Sequence, residues 1–166
     1  NGNTASTALS IAYDTVVPTI SIARSGSGSL GVGSTDVLTF TLSESSANFV
    51  VGDVTVSGGS LSGFSGSGSS YTATFTPTAD SSGTASISVG AGVFTDSSGN
   101  GNTASASFAI AYDTTSPTVS IARSGTGSLI VGGTDLLTFT LSESSANFVV
   151  GDVTVSGGSL SGFSGS

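Results

Sequence analysis

The chain repeats itself with a period of 99 residues. Tyr13 recurs as Tyr112, Glu44 as Glu143 and Asp53 as Asp152, and Leu38–Ser67 is identical to Leu137–Ser166. Elsewhere most changes are mild, such as Leu9 to Phe108 and Ile20 to Val119, whereas Gly31 to Ile130 is larger. A period of this size exceeds most solenoid units and is typical of a small independent domain. The fold must therefore be one that a segment of this length can close by itself. Close copies indicate recent duplication and a role that many equal modules can fill. If a module begins at the Asp before the Pro, residues 1–13 are the last strand of a preceding repeat and 14–112 form one complete repeat. Residues 113–166 are then the first half of a following repeat, without a counterpart of Gly68–Gly99. Such a half cannot close a core alone. It is expected to continue in a longer array or else to be completed by another chain, and the first reading is favoured.

Within the complete module apolar and polar residues alternate, which marks half-buried strands and excludes a disordered Gly/Ser linker. No stretch has helical spacing. Seven strands are predicted. Strand A holds Ile20 and Ile22 inward; strand B holds Leu38, Phe40 and Leu42 inward, with Thr39 and Thr41 outward. Strand C holds Val54 and Val56, and a short strand D lies around Leu61 to Phe64. Strand E holds Tyr71, Ala73 and Phe75; strand F, Ala85, Ile87 and Val89; strand G, Phe108, Ile110 and Tyr112. Phe64, Phe75 and Val93 are expected in the core. Seven short strands in about 100 residues, separated by Gly- and Ser-rich turns, predict an all-β fold of immunoglobulin-like β-sandwich repeats in tandem.

The side-chain inventory excludes several function classes. There is no Cys, hence no disulfide and no thiol nucleophile, and no His, hence neither the usual general base nor the usual zinc ligand. With no Lys, and no Ser beside a visible base, an enzyme is not expected. The basic residues are Arg24 and Arg123 alone, and the net charge is −8; that balance argues against nucleic acid and anionic membranes as partners. No apolar run approaches the roughly 18 residues of a membrane span, so no direct membrane insertion is expected. No N-terminal signal pattern is present, and the chain reads as an internal piece of a longer protein.

The carboxylates carry the functional signal. In a sandwich, successive strands run alternately up and down. One pole then collects the incoming linker, the B–C loop "SESSANFVVGD" and the F–G loop "FTDSSGNGN". Asp14, Glu44, Asp53 and Asp96 all fall there, and Asn100 and Asn102 add amide oxygens. Asp80 falls at the other pole, where Asp113, Glu143 and Asp152 of the next repeat are expected. Converging carboxylates without cations repel one another, and a hard divalent ion reverses the sign. Calcium suits such a site, because it takes six to eight oxygens in irregular geometry, and Gly99 and Gly101 would let the F–G backbone bend around it. Asp and Asn are also common in turns for local hydrogen-bonding reasons; the convergence of several, rather than any one of them, points to a metal. Asp36, in the A–B turn without acidic neighbours, is read as structural.

The combination of "D-T-x-x-P-T-x-x-I", "L-T-F-T-L-S-E", "F-V-V-G-D-V-T-V-S-G-G", "Y-T-A-T-F-T-P-T-A-D-S-S-G" and "F-T-D-S-S-G-N-G-N" resembles the bacterial immunoglobulin-like repeats of giant surface adhesins of the biofilm-associated and RTX types. The resemblance covers the whole chain. It implies secretion, display on the bacterial cell surface, long arrays that extend an adhesive tip, and calcium at the module joints. Residue by residue it implies Asp14 and Asp113 as linker ligands, Glu44 and Glu143 as the "SE" acids, Asp53 and Asp152 as the "GD" acids and Asp96 as the "TD" loop acid. The last repeat departs from the pattern in lacking its second half.

Three functions compete on these residues. The first is a structural extender, whose partners are neighbouring immunoglobulin-like repeats of the same chain; near-identity of the modules favours it. The second is a filament subunit that pairs with copies of itself, residues 1–13 of one chain completing the open half of another by strand addition. The third is a glycan- or ice-binding module. It would need exposed aromatics, yet the chain has no Trp and its three Tyr alternate inward; the outward row Thr72, Thr74 and Thr76 is ordinary for a solvent-facing strand.

Overall fold

A computed structural model describes residues 1–165. The chain divides into two compact units, 1–115 and from Ser116 onward. In the first unit six strands form: β1 (Ile20–Arg24), β2 (Asp36–Ser46), β3 (Val54–Ser57), β4 (Gly59–Pro77), β5 (Ser82–Val89) and β6 (Phe108–Asp113). One sheet has the order β1-β2-β4 and the other β3-β5-β6, all antiparallel.

The predicted strands D and E are one continuous stretch of extended backbone, β4. Nineteen extended residues would span about 60 Å, more than a sandwich of this size can hold, so β4 folds back on itself. Ser65 Oγ lies 3.3 Å from Thr72 Oγ1, and Thr78 N donates to Gly58 O at 3.0 Å. The sheets therefore read A-B-E-D and C-F-G, the order of an immunoglobulin-like sandwich. The fold-back leaves no room for side chains at its crossing points. A Cβ on Gly59 would overlap the Thr76 carbonyl and come 2.5 Å from Phe75 Cε2. Its counterpart Gly158 meets nothing within 4 Å. Gly59→Ala is therefore expected to cost about 1–3 kcal/mol in the first unit, and Gly158→Ala to leave that unit unchanged. Urea unfolding of the two variants, followed by tyrosine fluorescence, checks this.

The core follows the alternation. Leu38, Phe40 and Phe75 are fully buried, as are Ala85 and Ile87, and Leu42, Tyr71, Ala73, Val89 and Ile110 are nearly so. Ile22, Val54, Val56, Phe64, Phe108 and Tyr112 pack against this core while half-buried. Val93 corrects the expectation: it is 38% exposed, and its neighbour Phe94 is fully buried. The reason is local. Asn102 Oδ1 accepts from both Val93 N (2.9 Å) and Phe94 N (3.0 Å), turning the F–G loop so that Phe94 enters the core.

Residues 1–13 form no strand. Leu9, Ile11 and Tyr13 are 76–87% exposed, whereas their counterparts Phe108, Ile110 and Tyr112 lie on β6 against β5. Both edges of β5 are taken, by β3 and β6, so the same pattern at 1–13 finds no place beside it. Among its described residues the second unit has two strands, β7 (Val119–Arg123) and β8 (Leu137–Leu141), paired antiparallel. In both units the Arg at the end of the first strand meets an Asp across the turn, Arg24–Asp36 and Arg123–Asp135, each at 3.6 Å. Burial opposes the charge on Asp36. Hydrogen bonds from Ser25 Oγ, Gly26 N and Val37 N, with the Arg24 charge, nevertheless hold its carboxyl below the usual range. Asp36 is thus structural, and both cationic side chains of the molecule are committed to these turns.

Candidate metal centre

The site is built where β1 begins, β2 ends and the β5–β6 loop turns. Pro18 is fully buried and its carbonyl accepts from Thr103 N at 2.9 Å, which fixes the incoming linker against the F–G side. Ser43 Oγ accepts from Thr19 N at 2.9 Å and holds the linker to β2. Two loops far apart in sequence are joined by a ring pair, Phe49 and Phe94, with centroids 5.2 Å apart in edge-on contact. Asn48 Oδ1 adds a polar link, accepting from Ser46 Oγ (2.8 Å) and Thr95 N (3.0 Å).

On this scaffold Asp14, Glu44 and Asp96 converge, with one carboxylate oxygen of each within 4.8 Å of the others. Oxygens on a single calcium at 2.3–2.6 Å lie up to about 5 Å apart, so the spacing fits one ion. Asp96 is 7% exposed; its Oδ1 accepts from Ser98 N and Asn100 N, both at 2.8 Å, and its Oδ2 from Asn100 Nδ2 at 2.9 Å. The Asn100 side-chain bond foremost, then the loop N–H groups, outweigh burial and hold the Asp96 carboxyl below the ordinary range. Asp14 Oδ1 accepts from Val16 N at 3.0 Å and Oδ2 from Ser98 Oγ at 3.0 Å. Glu44 differs. Its Oε1 is buried and has no hydrogen-bond partner. Burial, then the charges of Asp14 and Asp96, push its carboxyl above the ordinary range. An orphaned carboxylate oxygen facing two further carboxylates, with no cation in reach, is what a hard divalent ion would satisfy, since each of the three carboxylates keeps a lone pair on at least one oxygen.

The other expected ligands are not among the three converging carboxylates. Asp53 Oδ2 accepts from Val50 N at 2.9 Å and caps the single 3-10 turn Val51–Asp53, outside the trio. Asn100 lies in the site but as a donor, its Nδ2 reaching Asp14 O at 3.2 Å as well as Asp96. Asn102 is buried, with its oxygen spent on Val93 and Phe94 and its Nδ2 on Gly90 O and Thr103 O. Asp80 is exposed in the β4–β5 turn at φ +50°, a left-handed conformation that Asp tolerates. Asp113 ends β6 opposite Ser82, and its Oδ1 accepts from Thr115 N at 3.1 Å, the same local turn as Asp14 makes. In the second unit Glu143 is exposed, and Asp152 Oδ2 accepts from Val149 N at 3.0 Å, repeating the Asp53 cap.

The sequence reading did not single out Asn48, Phe49, Phe94 or Ser98, which hold the trio together. It also missed Thr114, 6% exposed, whose Oγ1 donates to Thr78 O at 2.6 Å, lies 2.9 Å from Ser81 O and accepts from Ser81 N. With Leu30, which bonds Ala111 O through its N and Asp113 N through its O, Thr114 pins the outgoing end of the module. Of the three tyrosines expected inward, Tyr71 is buried and donates to Ser46 O at 2.8 Å and Tyr112 is half-buried, whereas Tyr13 is exposed.

Among the described residues no helix is long and apolar enough to cross a membrane. No curated protein and no solved structure matches the chain. A family model described as "Bacterial Ig-like domain" matches residues 14–112 and again 113–166. Its two matches follow the repeat and, with the A-B-E-D and C-F-G sheets of the first unit, lead to one conclusion: the chain belongs to the bacterial Ig-like domain family.

Proposed function

We propose that this chain is an extender segment of a bacterial cell-surface adhesin, in which calcium bound by Asp14, Glu44 and Asp96 ties the incoming linker to the module it enters. Bacterial Ig-like domains are structural modules, typically extracellular or surface-exposed. The observation that carries the reading is the origin of the three carboxylates. Asp14 belongs to the linker and the other two to the module body, so an ion that holds all three removes the linker's freedom. Without the ion the carboxylates repel, which weakens the linker's hold on the module. Extracellular calcium modules bind at about 10⁻⁴–10⁻³ M, so external calcium would stiffen the array and cytosolic calcium would not.

Small-angle scattering on a tandem of complete modules tests this, first in calcium and then in excess chelator. The maximum dimension is expected to shrink on chelation. An unchanged dimension would remove the joint-stiffening role even if calcium still bound.

A further inference from the structure

The F–G loop carries a dipeptide whose chemistry the fold does not use. Asn100 precedes Gly101. Before a glycine, the next backbone nitrogen reaches the asparagine side-chain carbon with least obstruction, because no Cβ stands in the way. The backbone does not itself require glycine at this position. Gly99 sits at φ +89° and needs the freedom. Gly101 lies outside the left-handed region, and a Cβ on it would meet only Gly92 Cα at 3.5 Å, an ordinary contact.

The register of the loop leaves the attacking atom free. Thr95 and Gly101 form an antiparallel bridge whose hydrogen bonds are made by their neighbours, Asp96 N to Asn100 O at 3.2 Å and Asn102 N to Phe94 O at 3.1 Å. In such a pair the N–H of the bridging residue points away from the partner strand. Gly101 is exposed, so its nitrogen faces solvent. The group at risk is the one that stands among the carboxylates. Asn100 Nδ2 donates to Asp96 Oδ2 at 2.9 Å and to Asp14 O at 3.2 Å.

We propose that Asn100–Gly101 is a self-modification site that turns a donor of the acidic pole into a fourth carboxylate. Gly101 N attacks Asn100 Cγ and forms a five-membered imide. The bond from Cγ to Nδ2 breaks, and ammonia leaves with the proton of the Gly101 amide. Water then opens the imide and leaves a carboxylate on residue 100, as aspartate or isoaspartate. One water is consumed and one ammonia released, with no oxidant and no second protein. The consequence is electrostatic. Asp96 and the Asp14 carbonyl lose a donor, and a new charge faces Asp14, Glu44 and Asp96 while both arginines are engaged elsewhere. Without a cation the pole is weakened; with calcium it gains an oxygen ligand. The calcium step rests on the reading given under Proposed function, and the modification does not.

The test keeps the full chain at mildly alkaline pH and follows conversion at each asparagine by peptide mapping and mass spectrometry, beside a synthetic peptide of residues 95–105. Position 100 is expected to convert, while Asn48 and Asn102, followed by Phe49 and Thr103, stay intact. Gly101→Ala, which the loop accommodates, is expected to slow conversion by about tenfold or more. Position 100 intact once the peptide has converted, or Gly101→Ala converting as fast, overturns the proposal. Asn100→Asp supplies one product directly. It is expected to melt below the unaltered chain in chelator and to bind calcium about tenfold more tightly. Equal melting in chelator overturns the electrostatic consequence. Calcium without effect on either protein overturns the calcium reading alone, since conversion and the chelator melts are read without it.

Discussion

Phe40→Ala is expected to unfold the first unit far below its normal melting temperature, while Thr41→Ala leaves it almost unchanged. Phe40 is fully buried at the centre of the sandwich, with Phe49 and Phe64 rings 5.9 and 6.2 Å away; Thr41, the next residue, is exposed. Truncating a buried Phe costs about 3–5 kcal/mol through lost transfer energy and the cavity left behind. An exposed substitution stays within about 0.5 kcal/mol. Against a total domain stability of about 5–15 kcal/mol, the first loss is a large share; a melting shift of about 15–30 °C follows for a domain of this size. The repeat supplies a control. Phe139→Ala changes the same residue in the same local sequence, and it is expected to leave the first unit's transition in place. Differential scanning calorimetry of the three variants decides the matter, and equal shifts for Phe40→Ala and Thr41→Ala would refute the register of β2.

The second large effect separates two carboxylates that lie side by side. Asp96→Ala is expected to destabilise the first unit even in chelator, because Ser98 N and Asn100 N lose their acceptor and the F–G loop loses its shape. Glu44→Gln is expected to do the reverse in chelator at neutral pH, raising the melting temperature, since it removes a charge held among like charges with one oxygen unpartnered. Added calcium is expected to stabilise the unaltered chain, increasingly with its concentration by mass action, and both variants are expected to lose that stabilisation. The pH dependence in chelator carries the same signs. The carboxyl of Asp96 titrates below its unfolded value, so its contribution is present above that value and is lost as the pH falls through the folded one. Glu44 titrates above its unfolded value, so its charge opposes folding as the pH rises through the folded one, and Glu44→Gln removes that opposition. Thermal melts of the three proteins with calcium and with chelator, from acid to neutral pH, read all of these. Calcium stabilising Glu44→Gln as strongly as the unaltered chain would exclude Glu44 as a ligand.

The two ends of the module are secured by different chemistry. At the outgoing end Thr114 and Leu30 bond the chain back to the β4–β5 turn and to β6 with neutral groups only. At the incoming end the neutral bonds of Pro18 O and Thr19 N are joined by a charged cluster, to which the linker contributes Asp14 and the body Glu44 and Asp96. Neutral hydrogen bonds hold under all ionic conditions, whereas a carboxylate trio attracts or repels according to whether a cation is present.

The amino-acid sequence by itself determined the repeat, the all-β class and the side of each strand that faces inward. The last follows because the strand period of two is written directly into residues such as Leu38, Thr39, Phe40, Thr41 and Leu42. It also brought Asp14, Glu44 and Asp96 to one pole, since alternating strand direction sends those three loops to the same end. The tertiary structure decided which atoms meet. Val93 and Phe94 were indistinguishable as apolar loop residues until Asn102 turned the loop. Asp53 left the site because Val50 N, three residues away, offers a local partner. Above all, Leu38–Ser67 and Leu137–Ser166 show that identical residues form an eleven-residue buried strand in one unit and a five-residue half-exposed strand in the other. Alternation specifies which face is apolar. Strand length and burial depend on the partner strand and facing sheet, through hydrogen bonds and contacts that no local stretch of sequence contains.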